Sequence, residues 1–269
     1  MAIYVDANRP ARYCPPVKTF YVDDSNCEIF GVQHALLGAI SFWDESPAIF
    51  DMLQLKRAIG LRPDREIKWN SQSFSDTERR ALTEGMLSIL THCRGFLVVT
   101  DRSKQTAALE LAVQLSDFCA SAGLGGFVCR FDKNIIAGAQ QFSEAASGLN
   151  PPCAGWSEGE SAHDQLIQCA DMFVGFQKLR IDLGLGRKKE DKLIEVEAYE
   201  GLRSEYPLGW YLRLALRHSL WGRVQDMNRS GQVWKENIGF GVRMVSSLPD
   251  ALQDQALSHL GRENLGCIH

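Results

Sequence analysis

Two apolar runs with a helix-length segment between them constrain the fold of this chain more than any other feature. Gly95-Phe96-Leu97-Val98-Val99-Thr100-Asp101 and Gly126-Phe127-Val128-Cys129-Arg130-Phe131-Asp132 have the β-branched and aromatic content of buried strands. The segment from about Lys104 to Ala122 reads as a helix. Strands joined through a helix need a crossover, and a crossover pairs them in parallel. Upstream, Thr19–Ser25 and Phe30–Phe42 read as two more strands, joined by a turn at Asn26. The expectation is an α/β fold, a mixed β-sheet with helices on both faces.

Helix signals fill the gaps between these strands. Ser46-Pro47 opens a helix that Gly60 stops, and Ser75-Asp76-Thr77-Glu78 has capping-box character before Leu82, Met86, Leu87, Ile89 and Leu90. Leu149-Asn150-Pro151-Pro152 marks a loop, and Trp156 to Asp164 is polar and glycine-containing. A helix from about Ala162 to Leu183 is stopped by Gly184 and Gly186. Arg187-Lys188-Lys189-Glu190-Asp191-Lys192 reads as a solvated charge run. The organisation expected is a lead-in over 1–18, a main domain over 19–200 and a mainly helical C-terminal extension over 201–269. That extension holds a helix around Tyr211–Leu220, a strand Phe240–Val245 and a helix after Pro249.

Composition narrows the class. The chain has 269 residues, 45% of them hydrophobic and 23% charged, which is ordinary for a globular protein with a sizeable core. No apolar run approaches the ~20 residues that span a bilayer, and no basic start precedes a hydrophobic stretch, so a cytosolic protein with no membrane partner is expected. Eight cysteines without a CxxC pair read as buried free thiols. The net charge of −4 argues against a surface built throughout for nucleic acid, and allows a local basic groove beside an acidic site.

Acids recur at strand ends. Tyr21-Val22-Asp23-Asp24-Ser25 closes the first run, and alternation sends Asp23 and Asp24 to opposite faces, so one of them, Asp23, is taken to look into a cleft. By itself this acidic end also suits a plain polar turn. Asp101 and Asp132 close two further strands, and Glu66 lies in the short extended piece Glu66-Ile67-Lys68-Trp69. On the helix after residue 162, Asp164, Gln168, Asp171, Gly175 and Lys178 form one polar stripe while the rest of the circumference is apolar. Such a stripe either lines a cleft or is the ordinary solvated face of a partly exposed helix, and in the first case Gly175 would let it approach a neighbouring backbone. The same Gln-x-x-Asp spacing recurs at Gln114 and Asp117 without the following glycine, and Asp117 reads as a surface residue. Should Asp23, Glu66, Asp101, Asp132 and Asp171 converge, their hard oxygens would suit Mg2+ or Mn2+. Two such ions activate a water and stabilise the leaving oxygen of a phosphodiester.

These motifs resemble a known family. Tyr21-Val22-Asp23-Asp24-Ser25 is similar to the Tyr-Ile-Asp-Glu-Ser opening of domain of unknown function family 3800. Glu66-Ile67-Lys68-Trp69 resembles its Glu-Leu-Lys-Trp/Phe element, and Gln168-Cys169-Ala170-Asp171-Met172-Phe173-Val174-Gly175 its Gln-Leu-Ala-Asp-Leu-Val-Ala-Gly helix. The motifs occur in the family's order over roughly residues 19 to 180. The resemblance implies an RNase H-like fold and a two-metal nuclease acting on nucleic acid. By position it implies Asp23, Glu66 and Asp171 as ligands, Asp101 or Asp132 as a fourth, and Lys68 as a positive charge at the scissile phosphate. Asp24 replaces the family's glutamate, Asn26 its glycine and Cys169 its leucine.

Other readings stand beside this one. Glu66-x-Lys68 also evokes the PD-(D/E)xK nucleases, but Asp64 and Glu66 are too close for the hairpin between those acids. A non-catalytic module of the same fold would bind nucleic acid, or a protein partner through Trp210, Trp221 and Trp234 of the extension, although tryptophans in amphipathic segments are more often core. A serine hydrolase is excluded by the lack of Gly-x-Ser-x-Gly, and His163 reads as a helix-end residue.

Overall fold

The computed structural model describes residues 16–68, 74–189, 193–199, 202–207, 212, 216, 219–229 and 232–261. The chain opens with the hairpin β1 (Val17–Ile29) and β2 (Val32–Phe42), followed by α1 (Glu45–Ala58) and α2 (Asp76–Thr91). Then β3 (Cys93–Thr100), α3 (Lys104–Ser121), β4 (Gly126–Asp132), α4 (Ala139–Ser147), β5 (Cys153–Gly159) and α5 (Gln165–Gly184) alternate. Two antiparallel hairpins come next, β6 (Leu193–Tyr199) with β7 (Leu202–Pro207), and β8 (Gly222–Arg229) with β9 (Gln232–Phe240). The short strand β10 (Val242–Val245) and the helix α6 (Asp250–His259) complete the described elements.

Six strands make one sheet in the order β10-β3-β2-β1-β4-β5. The first three strands pair antiparallel, whereas β4 pairs parallel with β1, β5 with β4, and β10 with β3. The mixed α/β sheet expected from the alternating pattern is therefore present, with the acid-bearing first strand inside it between β2 and β4.

The first hairpin turns later than expected. β1 runs straight through Asn26 to Ile29, and the turn falls at Phe30 and Gly31, with φ of 50° and 83°. Cys27 and Ile29 are buried, so continuing the strand keeps two more apolar side chains in the core. That burial outweighs the local turn preference of one asparagine. Asp23 and Asp24 consequently lie inside the strand, at a point where its pairing changes. A second shift concerns α1, whose cap is Asp44: its carboxylate accepts from the backbone N–H of Ser46 at 2.9 Å, two residues before the expected serine. The capping box at Ser75 and Glu78 forms as expected.

Alternation along the strands divides the interior in two. Phe20 and Val22 pack with Leu37, Ala39, Phe96 and Val98 beneath α3 and α4. Tyr21, Cys27 and Ile29 pack with Leu36, Ile40, Leu97 and Val99 beneath α1, α2 and α5. Helix α5 lies close to the sheet because the strands beneath it carry glycines. A Cβ on Gly38 would overlap Val174 and reach within 3.1 Å of Phe173, and one on Gly95 would overlap the Phe173 ring.

Several residues beyond 200 pack into these same cores. β10 extends the sheet alongside β3, Leu212, Leu216 and Leu220 are buried with α5, and Trp221 stacks on Phe96 at 5.8 Å between ring centroids. The helix after Pro249 is present as α6 and packs on α5, and the described part of 201–249 adds strands to it. The described part of the extension is thus richer in strand than the mainly helical one expected, with β10 and α6 packed on the main sheet and its helices. Most of the expected 211–220 helix, residues 1–15 of the lead-in, Trp210 and the Trp234 side chain lie outside the described residues. The six described cysteines are free and buried. Among the described residues no helix is long and apolar enough to cross a membrane.

Candidate active site

Asp23 stands where the neighbours of β1 part company. Pairing with β4 ends at Val22 and Phe131, while pairing with β2 continues with Asp23 opposite Gly38. The residue after Phe131 is Asp132, so the two aspartates flank a notch at the carboxyl ends of the parallel strands. Ligands collect at such crevices in open α/β sheets. Because side chains alternate, Asp23 shares its face with Tyr21 and looks toward α5, which brings Asp171. The segment 61–68 brings Glu66 and Lys68 to the same place, anchored by the fully buried Ile67.

The charges here crowd one another. Asp23 is buried, 6% exposed, and its Oδ1 accepts from the backbone N–H of Asp24 at 2.6 Å. Burial, then the carboxylates of Asp171, Asp132 and Asp24, push the Asp23 carboxyl up to about 8 against that one stabilising N–H. Asp171 is pushed up to about 6, first by burial and then by Glu66, with Lys68 opposing. Lys68 pairs with Glu66 at 2.5 Å, and that bond, together with Asp171 and Asp23, holds its ammonium above the usual lysine range. Among the described residues no three His, Cys, Asp or Glu side chains are close enough to ligate one ion as they stand. The carboxylates are gathered but not assembled into a ligand set.

Ser161, for which the sequence gives no distinguishing signal, joins two of these acids. Its backbone N–H donates to Asp132 Oδ1 at 3.0 Å and its hydroxyl donates to Glu66 Oε1 at 3.0 Å. Locally it belongs to a polar turn directly before a helix, Glu160-Ser161-Ala162-His163, and nothing in that pattern separates it from an ordinary loop. The region also conceals β5, an edge strand too polar to show the alternation of a buried one.

Other candidates lie elsewhere. Asp101 accepts from the hydroxyl and backbone N–H of Ser247 and from the Ser246 hydroxyl, which hold its carboxyl below the usual range. From the end of β3 it fastens the loop after β10, two strands away from β1, and does not join Asp23. Asp24 faces the α3 side and pairs with Lys104 at 2.6 Å. Asp164 is the α5 cap, accepting from Leu166 and Ile167 N–H, and pairs with Arg130 at 2.8 Å. Gln168 is fully buried, so the expected stripe does not line one cleft along its length. A Cβ on Gly175 would meet nothing within 4 Å: there is open space where a close backbone was expected. His163 is exposed and contacts Glu160 at 3.4 Å, His34 is buried between Val32 and Ser246, and Asp117 is on the surface as expected.

Comparison with known proteins adds little to this geometry. No family model matches the chain, and no curated protein matches it. Among solved structures, the chain is similar to one described as the complex of PCNA with RNase HII from Archaeoglobus fulgidus. That match has 14% identity and a TM-score of 0.33, and covers 61% of this chain and 74% of the other. Similarity at that level carries no weight for the site, which rests on its own residues.

Proposed function

We propose that this protein is a divalent-metal-dependent nuclease or phosphodiesterase, with Asp23, Glu66, Asp132 and Asp171 holding Mg2+ or Mn2+ and nucleic acid as the substrate. The observation that carries this reading is the uncompensated charge around Asp23. Four carboxylates from β1, the 61–68 segment, the end of β4 and α5 gather there around one ammonium, that of Lys68, which is bonded to Glu66, and the innermost carboxyl is pushed up to about 8 by burial and by the acids around it. Structural acids are normally paired on burial; a group of acids left short of positive charge fits a divalent cation. All the donors are hard oxygens, the set that Mg2+ and Mn2+ prefer.

The bound ions would supply an activated water and a stabilised leaving oxygen. The chain's own residues supply the rest. Asp23 fixes the centre from the most buried position, Asp132 and Asp171 flank it from β4 and α5, and Lys68, ion-paired with Glu66 at the exposed rim, offers an ammonium for a phosphate oxygen. Gly175 leaves open space along α5 beyond Asp171.

Asp23→Asn and Asp171→Asn are each expected to lower Mn2+-dependent cleavage of single-stranded and duplex RNA and DNA by more than about a hundredfold, since ligand loss should exceed the effect of losing an outer-shell partner. Circular dichroism should show an unchanged fold. Turnover retained in both variants would refute the site. One observation favours a second reading, a non-catalytic module of the same fold: Glu66 and Asp24 are already neutralised by Lys68 and Lys104. Calorimetric titration of Mn2+ into wild type and Asp23→Ala separates the two, since equal lack of binding leaves only the module.

A further inference from the structure

We infer that Ser161 is a positioning residue that fixes Glu66 relative to Asp132 for cation binding, an inference that rests on the metal-dependent reading above. The two acids come from parts of the chain with very different order. Asp132 closes β4 and is paired with Gly159 of β5, so its backbone is set by the sheet. Glu66 lies in a segment without helix or strand, held at a distance by Ile67 in the core and by Pro63, whose carbonyl accepts from Lys56 Nζ at 3.0 Å and Gln165 Nε2 at 3.4 Å. Neither anchor orients the Glu66 carboxylate.

Ser161 does. It is 8% exposed and sits in a turn that is fixed on both sides. Before it, β5 ends beside Asp132. After it, the N–H groups of His163 and Asp164 both donate to the Glu160 carbonyl at 2.9 Å, and Asp164 caps α5. From this frame one residue gives its N–H to Asp132 and its hydroxyl proton to Glu66. Each bond takes one oxygen of its acid, and the second Glu66 oxygen pairs with Lys68 Nζ at 2.5 Å, so the Glu66 carboxylate is held between a buried serine and an exposed lysine. The hydroxyl donates to the carboxylate, the bond by which a neighbouring group orients a metal ligand.

Removing the hydroxyl leaves the bond to Asp132 in place and leaves the Glu66 carboxylate to Lys68, an exposed residue of its own segment that does not tie it to Asp132. Ser161→Ala is therefore expected to weaken Mn2+ binding, measured by calorimetry, by about 10- to 100-fold, the usual cost of losing a group that orients a ligand. Ser161→Thr, which keeps the hydroxyl, should recover most of that loss. In a Glu66→Ala background Ser161→Ala should add nothing, because the carboxylate it orients is gone. In the metal-free protein, trypsin should cut faster after Arg65 or Lys68 in Ser161→Ala than in wild type. Wild-type Mn2+ affinity in Ser161→Ala, or an equal further loss on the Glu66→Ala background, would overturn the inference while leaving the metal site standing. Wild type that binds no Mn2+ would overturn both.

Discussion

Asp23 has one N–H donor and three carboxylates acting on it, which links the stability of the metal-free protein to pH in an uncommon direction. Its folded pKa, about 8, lies above the ordinary aspartate value of 3.8, and Asp171 is raised from the same value to about 6. Between about pH 4 and pH 8 the folded chain thus holds protons that the unfolded chain has released. Their contribution to stability is complete below about pH 4 and is lost as pH rises through 6 and then 8. Each tenfold gain in proton affinity on folding corresponds to roughly 1.4 kcal/mol, so the Asp23 contribution is on the order of a few kcal/mol. Asp23→Asn should therefore raise the metal-free melting midpoint at pH 8.5 by about 5 °C or more and by much less at pH 5. Subtracting the variant's profile from the wild type's isolates this group from the other acids. A difference that is flat from pH 5 to 8.5 would show that Asp23 is not held in a crowded, buried setting. Asp24, one residue away on the other face, should behave as a surface ion pair with Lys104 and contribute little.

At the scale of elements, helix α5 shows both what a sequence discloses and what it leaves out. Its existence, its end and its acid at 171 follow from periodicity and glycine stops, and so do the strands β3 and β4, each a continuous apolar run. The direction in which the helix approaches the sheet does not follow, because it depends on which strand residues lie beneath it. Gly175 stands out by its position on the helix, whereas the glycines that permit contact are Gly38 and Gly95, across the interface on strands. Ser161 is hidden for the same reason: its partners lie 29 and 95 residues away, and no local pattern records them. The late hairpin turn is a case of burial at Cys27 and Ile29 overriding a turn residue. These placements have opposite consequences for substitution. Gly38→Ala should destabilise by about 1–3 kcal/mol through overlap with Val174 and Phe173. Gly175→Ala should stabilise by up to about 1 kcal/mol, since alanine favours helix and the added methyl enters open space. Urea denaturation of both variants measures this, and destabilisation by Gly175→Ala would mean that α5 has a neighbour at that point.

For the whole molecule, the question is whether residues after 200 are an attachment or part of the fold. β10 covers the side of β3 that would otherwise be a bare edge, with Leu97 N–H donating to the Gly241 carbonyl at 2.7 Å. Trp221 closes the aromatic group of Phe20, Phe96 and Phe118 on one face, and Leu212, Leu216, Leu257 and Leu260 pack with α5 on the other. Removal of this part would therefore strip both faces of the sheet at once and expose the β3 edge, the usual template for aggregation. A chain ending at residue 200 should be insoluble or lack a cooperative unfolding transition, even though it keeps every acid of the candidate site. Trp221→Ala in the full chain should be milder, up to about 3 kcal/mol, because that tryptophan is only half-buried. The pair of measurements is decisive. If the 1–200 fragment stays soluble and melts cooperatively at the full-length midpoint, the C-terminal part is a separate unit. If it does not, the strands that carry Asp23 and Asp132 depend for their geometry on a strand supplied more than a hundred residues later.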